Sequence, residues 1–335
     1  MTRLWIRGCI GAACFHAAFF APAGMAAPVR AWITNQLENS VSVVDVETQR
    51  VMASLQVGSK PAGVAASRDG RKVLVSNPGG TELSEIDTQT LQVRQDLKVP
   101  EGAVGVAINA SATMAYVADW YGNRVLVLDL VSRQTVKDIK VGHVPAGLVL
   151  SSDEQTLYVA VRDDDLVAEI SLAEGRQTRT LSVGHHPFGI ALDAEGRHLF
   201  TANVESNDVT IIDLQNWKSV ATVPVGERPY AVVHVPLTGK LMVTNQGSNT
   251  VTVLDPVTAR PVQPIAVGEY PEGIALHPDG QQVYVVNWFD STVSVIDAVT
   301  MQVTATVPVG KGSRGFGNFF SQLPEQQSPL PDMPK

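Results

Sequence analysis

The sequence predicts an all-β protein, a seven-bladed β-propeller with four antiparallel strands per blade. Three observations carry that prediction. A Val-Gly or Val-Pro pair recurs every 42 residues without slippage, at Val57, Val99, Val141, Val183, Val225, Val267 and Val309. A second position keeps the same step, at Asn35, Asn77, Asp119, Val161, Asn203, Asn245 and Asn287, each closing a short apolar run such as Ala31-Trp32-Ile33-Thr34. Several short strands packed into a period in the low forties mark propeller blades.

The elements of one repeat follow in order between Pro271 and Gly310. Gly273-Ile274-Ala275-Leu276 is a first strand, ended by a turn at His277-Pro278-Asp279-Gly280. Val283-Tyr284-Val285-Val286 is a second, closed by Asn287. Neither run alternates in polarity, as expected of strands covered on both faces. Thr292 to Ile296 is a third strand that begins to alternate, and Asp297 turns the chain into a fourth, Val303 to Val309. Pro224, Pro264 and Pro308 all fall in fourth strands. Proline lacks the donor a central strand needs, so the fourth strand is the blade's outer edge. The first strand then lines the central channel.

The chain starts and stops out of phase with this unit. Only second, third and fourth strands precede Val57 (Ala31–Thr34, Val41–Val44 and Val51–Val57), and a first-strand match at Arg314–Phe319 follows Val309. Joining that C-terminal strand to the N-terminal three completes a seventh blade. Closure matters because a lone sheet buries neither face, whereas a ring buries all of them.

Residues 1–26 read as a cleaved secretory signal: Arg3 and Arg7 precede the apolar stretch Gly8–Phe20, and Gly24-Met25-Ala26 ends it with small residues. Acylation of Cys14 ranks below simple export, because Gly11 suits that signal poorly and the apolar run continues past Cys14. Both cysteines fall in this segment, so the mature chain is expected to hold no disulfide, thiol nucleophile or thiolate-bound metal. Its 309 residues suffice for a large core. The segment takes two of the 25 basic residues and leaves 23 against 33 acidic ones, a net charge of −10. That balance disfavours nucleic acid and anionic lipid as partners. No later stretch is long and apolar enough to span a membrane. The expected domains are therefore the signal at 1–26, the propeller at 27–321 and a Pro/Gln-rich disordered tail at 322–335.

The runs Leu157-Tyr158-Val159-Ala160, Leu241-Met242-Val243-Thr244-Asn245 and Val283-Tyr284-Val285-Val286-Asn287, with Thr250–Asp255, resemble the YVTN-family propeller repeat. With the Val-Gly-x-x-Pro-x-Gly loop and the export signal, the chain most resembles the YncE-like periplasmic members. The resemblance implies the fold and a periplasmic location. It names no activity: similar repeats build surface-layer proteins, heavy subunits of quinoprotein amine dehydrogenases and, more remotely, propeller lactonases.

The repeats separate scaffold from candidate site. The asparagine ring and the third-turn aspartates (Asp45, Asp87, Asp129, Asp213, Asp255, Asp297) answer needs that every blade shares. Departures from sevenfold sameness are the candidates. Just before the repeated glycine the blades offer Ala62, Val104, Ala146, Phe188, Tyr230, Glu272 and Arg314. His185 and His186 share a loop with Phe188, and His143, Glu227, Arg228, Glu269 and Tyr270 occupy equivalent loops. The second-to-third loops add Trp120-Tyr121, Trp288-Phe289 and Arg162 before Asp163-Asp164-Asp165. All these loops emerge on one face. Aromatics mixed with a few charges fit a ligand or partner surface, whereas the plainer alternative has Phe188 and Tyr230 plugging the channel and Trp288 packing on a neighbour. Adjacent histidines seldom share a metal, and calcium loops space their ligands at alternate positions, so neither His185-His186 nor Asp163–Asp165 is expected to bind one.

The expected function is a non-enzymatic periplasmic module that binds a small molecule or protein through this face, without a cofactor. One alternative is a lactone hydrolase or lyase with His185 or His186 as general base and Arg314 polarising a carbonyl. The other is a non-catalytic large subunit of a quinoprotein dehydrogenase.

Overall fold

The computed structural model describes residues 28–323. The expected signal segment, and the expected tail from residue 324 onward, lie outside the described residues. Six blades are contiguous in sequence, at 63–98, 103–140, 145–182, 187–224, 229–266 and 271–308, each antiparallel and laid down from the channel outward. The seventh combines Val29–Asn35, Ser40–Asp45 and Arg50–Gln56 with a C-terminal strand, Phe320–Gln322. The fourth strand is the exposed edge of each blade: in Gln134–Lys140 only Ile139 is buried, while Met114–Asp119 is buried at five of six positions. The proline argument therefore located the outer edge correctly. Among the described residues no helix is long and apolar enough to cross a membrane.

Glycine sets how closely the blades approach one another. A Cβ on Gly63, Gly105, Gly147 or Gly189 would lie within 2.1–2.5 Å of the carbonyl oxygen of Val104, Ala146, Phe188 or Tyr230 in the next blade. At these four positions glycine is thus a contact requirement of the ring, whereas the fifth blade accommodates Ala231 at the same register.

Both polar rings are scaffold. The third-turn aspartates accept backbone N–H bonds two or three residues ahead, as Asp297 does from Val299 and Thr300. Ser171 takes over in the third blade, accepting from Glu174 N. Each asparagine braces its second strand to the third: Asn245 Nδ2 donates to Thr250 and Thr252, and Asn287 Nδ2 to Thr292 and Ser294.

Closure departs from the expected strand. Ser313 bridges Asn35 in the ordinary register, and the repeat would then place Asn318 opposite Ala31, since Leu276 pairs with Val283 one blade earlier. Phe320 occupies that place instead. Phe316–Asn318 detours to pair in parallel with Gly63–Ala65 of the first blade. Gly317 permits the approach, since a Cβ there would sit 2.4 Å from Val64 O. A two-residue offset keeps every side chain on its proper face, so the detour leaves the pairing intact. The ring is locked further by Trp32, whose indole N–H donates to Ser321 Oγ at 2.8 Å.

Candidate functional site

The loops between blades all carry a left-handed residue at one register position: Lys60, Gly102, Val144, His186, Arg228, Tyr270 and Gly312. At the five non-glycine positions the strained backbone is clamped. Asn39, Asn123, Asp165, Asn207 and Asn249 each accept the N–H of the residue 21 positions ahead, as in Asn207 Oδ1 with Arg228 N at 2.7 Å and Asn39 Oδ1 with Lys60 N at 2.9 Å. Where the loop residue is glycine, the clamp position holds Thr81 or Ser291. The scaffold thereby fixes where Lys60, Arg228 and Tyr270 stand.

These loops surround a cavity of about 690 Å³ at one mouth of the channel. Eight of the ten expected site residues line it. Trp120 and Tyr121 come from the second blade, Arg162 from the third and Trp288 from the sixth, while Phe188, Tyr230, Glu272 and Arg314 rise from the inner strands or the turns leading into them. Lys60, Glu101, Arg228, Gln246 and Tyr270 also line it. Arg228 and Tyr270 belong to loops already singled out. Lys60, Glu101 and Gln246 were missed, although the 42-residue register places Lys60 level with Arg228 and Gln246 level with Trp120 and Trp288.

Phe188 and Tyr230 form the floor. Their rings stack at 4.2 Å, and Phe316 packs against Phe188 at 4.8 Å and Tyr230 at 5.8 Å. Trp120 meets Phe188 edge-on at 6.1 Å. Burial, and then the carboxylate of Glu272, hold the Tyr230 phenol well above its ordinary range. Both rings are buried against one another and also line the cavity. Phe316 faces the opposite mouth, where a second cavity of about 530 Å³ is lined mainly by apolar inner-strand residues including Leu148, Leu192 and Leu276.

Glu272 and Arg314 form a two-point ion pair at 2.5 and 2.9 Å, and Gln246 donates to the same carboxylate at 3.1 Å. Arg314 also lies over Trp288 at 5.9 Å. Trp288 packs on Tyr270 of the neighbouring loop, and on Phe289, while also lining the cavity.

His185 and His186 are not among the lining residues. His185 Nδ1 bonds Asp165 Oδ2 at 2.7 Å on the outer rim, and His186 Nδ1 sits 2.7 Å from Glu205. His143 bonds Asp164 in the same manner. These carboxylates raise the pKa of His143 and His185 above 6.5. The Asp163–Asp165 run is accordingly spent on Arg162, His143 and His185. Among the described residues, no group of three or more His, Cys, Asp or Glu is placed to hold a metal ion.

Residues 65–156 match the family model for the YNCE-like beta-propeller. The match spans a little over two of the 42-residue repeats, and the ring carries the same unit through all seven blades. Over that segment the chain is similar to the YncE-like β-propellers. No curated protein matches it by sequence. Among solved structures, this propeller is similar to a functionally unknown protein of Desulfotomaculum acetoxidans (15% identity, TM-score 0.71, 86% of this chain and 99% of that one). It is also similar to hydrazine synthase of Kuenenia stuttgartiensis (21%, TM-score 0.68, 75% and 87%). A third likeness is to the dihydro-heme d1 dehydrogenase NirN in complex with DHE (16%, TM-score 0.60, 83% and 63%). At these identities the likeness is one of fold.

Proposed function

We propose that this propeller is a non-enzymatic binding module, exported to the periplasm, that holds a small molecule or a segment of a partner protein in the loop-face cavity. One observation carries the reading. The residues that break sevenfold sameness converge on a single mouth, where aromatic walls stand among a few charges, the composition expected of a binding pocket.

Hydrolase or lyase chemistry is less well supported. The histidines put forward as general base are engaged with carboxylates on the rim, outside the cavity, and Arg314 is already answered by Glu272. A dehydrogenase-subunit role would need a second chain to carry the chemistry.

The test compares wild type with Tyr121→Ala/Arg162→Ala/Trp288→Ala and with a control at the opposite mouth, Leu148→Ser/Leu192→Ser. Pull-down and bound-mass analysis from periplasmic extract should lose the partner or ligand in the first variant only. Equal recovery in all three, with all three folded, would refute the loop face as the site.

A further inference from the structure

We propose that the ligand of this cavity is a planar polyanion: an aromatic or conjugated body bearing two or more carboxylates at its edge. The inference rests on the binding reading above and adds the chemical class.

The first observation is charge. The chain carries a net charge of −8, yet the lining holds four cations, Lys60, Arg162, Arg228 and Arg314, against Glu101 and Glu272. Arg314 is neutralised by Glu272, and Arg162 reaches Asp163. Lys60 and Arg228 have no carboxylate partner among the described residues; what holds them is the backbone clamp from Asn39 and Asn207. An anion entering the well would therefore meet two exposed cations that no carboxylate of the described residues engages.

The second observation is spacing. Of the two unpaired cations, Lys60 stands between the seventh and first blades and Arg228 between the fourth and fifth, on different sides of the ring. One carboxylate engages one guanidinium fork and cannot answer cations on several sides of a mouth. A ligand with anionic groups spread along its edge can.

The third is shape. The floor is the stacked Phe188–Tyr230 pair, with rings inclined by 29°. Trp120 and Tyr121 form one wall, with Tyr270 and Trp288 opposite. A flat conjugated body resting on that floor gains stacking, while its edges meet the cations. About 690 Å³ is of the size that encloses a drug-sized ligand.

Calorimetric titration with benzene-1,3,5-tricarboxylate, benzoate, citrate and inorganic phosphate tests the class. The tricarboxylate should bind at least tenfold more tightly than planar monoanionic benzoate or non-planar citrate, and more weakly as salt rises. Lys60→Ala/Arg228→Ala, checked for an unchanged melting temperature, should lose at least tenfold of that affinity. Tricarboxylate binding no tighter than benzoate or citrate, or unaffected by the double variant, would overturn the proposal. If native mass spectrometry finds a neutral or cationic compound retained in the cavity, the polyanion falls and the binding reading stands. If nothing is retained and no probe binds, both fall.

Discussion

Glu272 and Arg314 occupy the same position of successive repeats, 42 residues apart, and bond each other side to side across the channel mouth. In the preceding blades that position holds Ala62, Val104, Ala146, Phe188 and Tyr230, so the ion pair is where a uniform scaffold turns individual. Its two ends are unequal. Glu272 is 1% exposed in its side chain and Arg314 22%.

That inequality predicts unequal costs. Arg314→Ala strands a buried carboxylate with only Gln246 to bond it and should cost about 3 kcal/mol. Glu272→Ala leaves a guanidinium that reaches water, for about 1 kcal/mol. The double variant should cost less than the two singles together. Urea unfolding of all three measures the coupling, and additive costs would show the pair to be incidental.

Ring closure predicts a sharp truncation boundary. Ending the chain at Leu323 retains the Phe320–Gln322 pairing and should leave the melting temperature within a few degrees of full length. Ending it at Ser313 removes Phe316, Phe319 and Phe320, all buried, and exposes the edge of Val29–Asn35. That form should lose cooperative unfolding or aggregate. Equal melting of the two would mean the ring does not need its closing strand.

Blade contact predicts an asymmetry between two neighbouring positions. Gly147→Ala drives a methyl to 2.3 Å from Phe188 O and should cost more than 2 kcal/mol. The fifth blade already carries Ala231 at that register position, so Ala231→Gly should cost less than about 1 kcal/mol. Comparable losses would remove the close-contact account of the glycine ring.

The rim histidines predict a pH response with a definite sign. His143 and His185 are raised above 6.5, so their contribution is complete below that pH and fades as pH rises through the folded value. Burial is the largest single influence on Asp164 and raises it, but the hydrogen bonds and charge of His143 together outweigh it and hold the carboxyl below 3.8, so its contribution is lost as pH falls through that lower value. The pair is held best between 3.8 and 6.5. NMR titration should find both imidazoles titrating above 6.5, and Asp164→Asn should return His143 toward 6.5 while sparing His185. An unmoved His143 would break the assignment.

Much of this was legible before any coordinates. The 42-residue register carried the blade count, the strand order and the face on which Phe188, Tyr230, Glu272 and Arg314 meet, because identical units in a ring put identical positions at identical heights. Two features were not. The closing strand was read at Arg314–Phe319, since Phe316 resembles a first-strand residue locally; only the parallel contact with Gly63–Ala65 shows that two residues are spent on a detour. His185 and His186 share the Phe188 loop, but Asp165 holds the His185 ring by a hydrogen bond and neither imidazole lines the cavity. Lys60 was legible in the same register, level with Arg228, but its loop holds no aromatic or acidic residue to single it out.

A crystal structure of the protein purified without denaturation from its native source tests the central claim most directly. It should show non-protein density resting on the Phe188–Tyr230 floor, within reach of Lys60 and Arg228. A cavity holding only water, with a bound molecule at the opposite mouth beside Leu148 and Leu192, would contradict it.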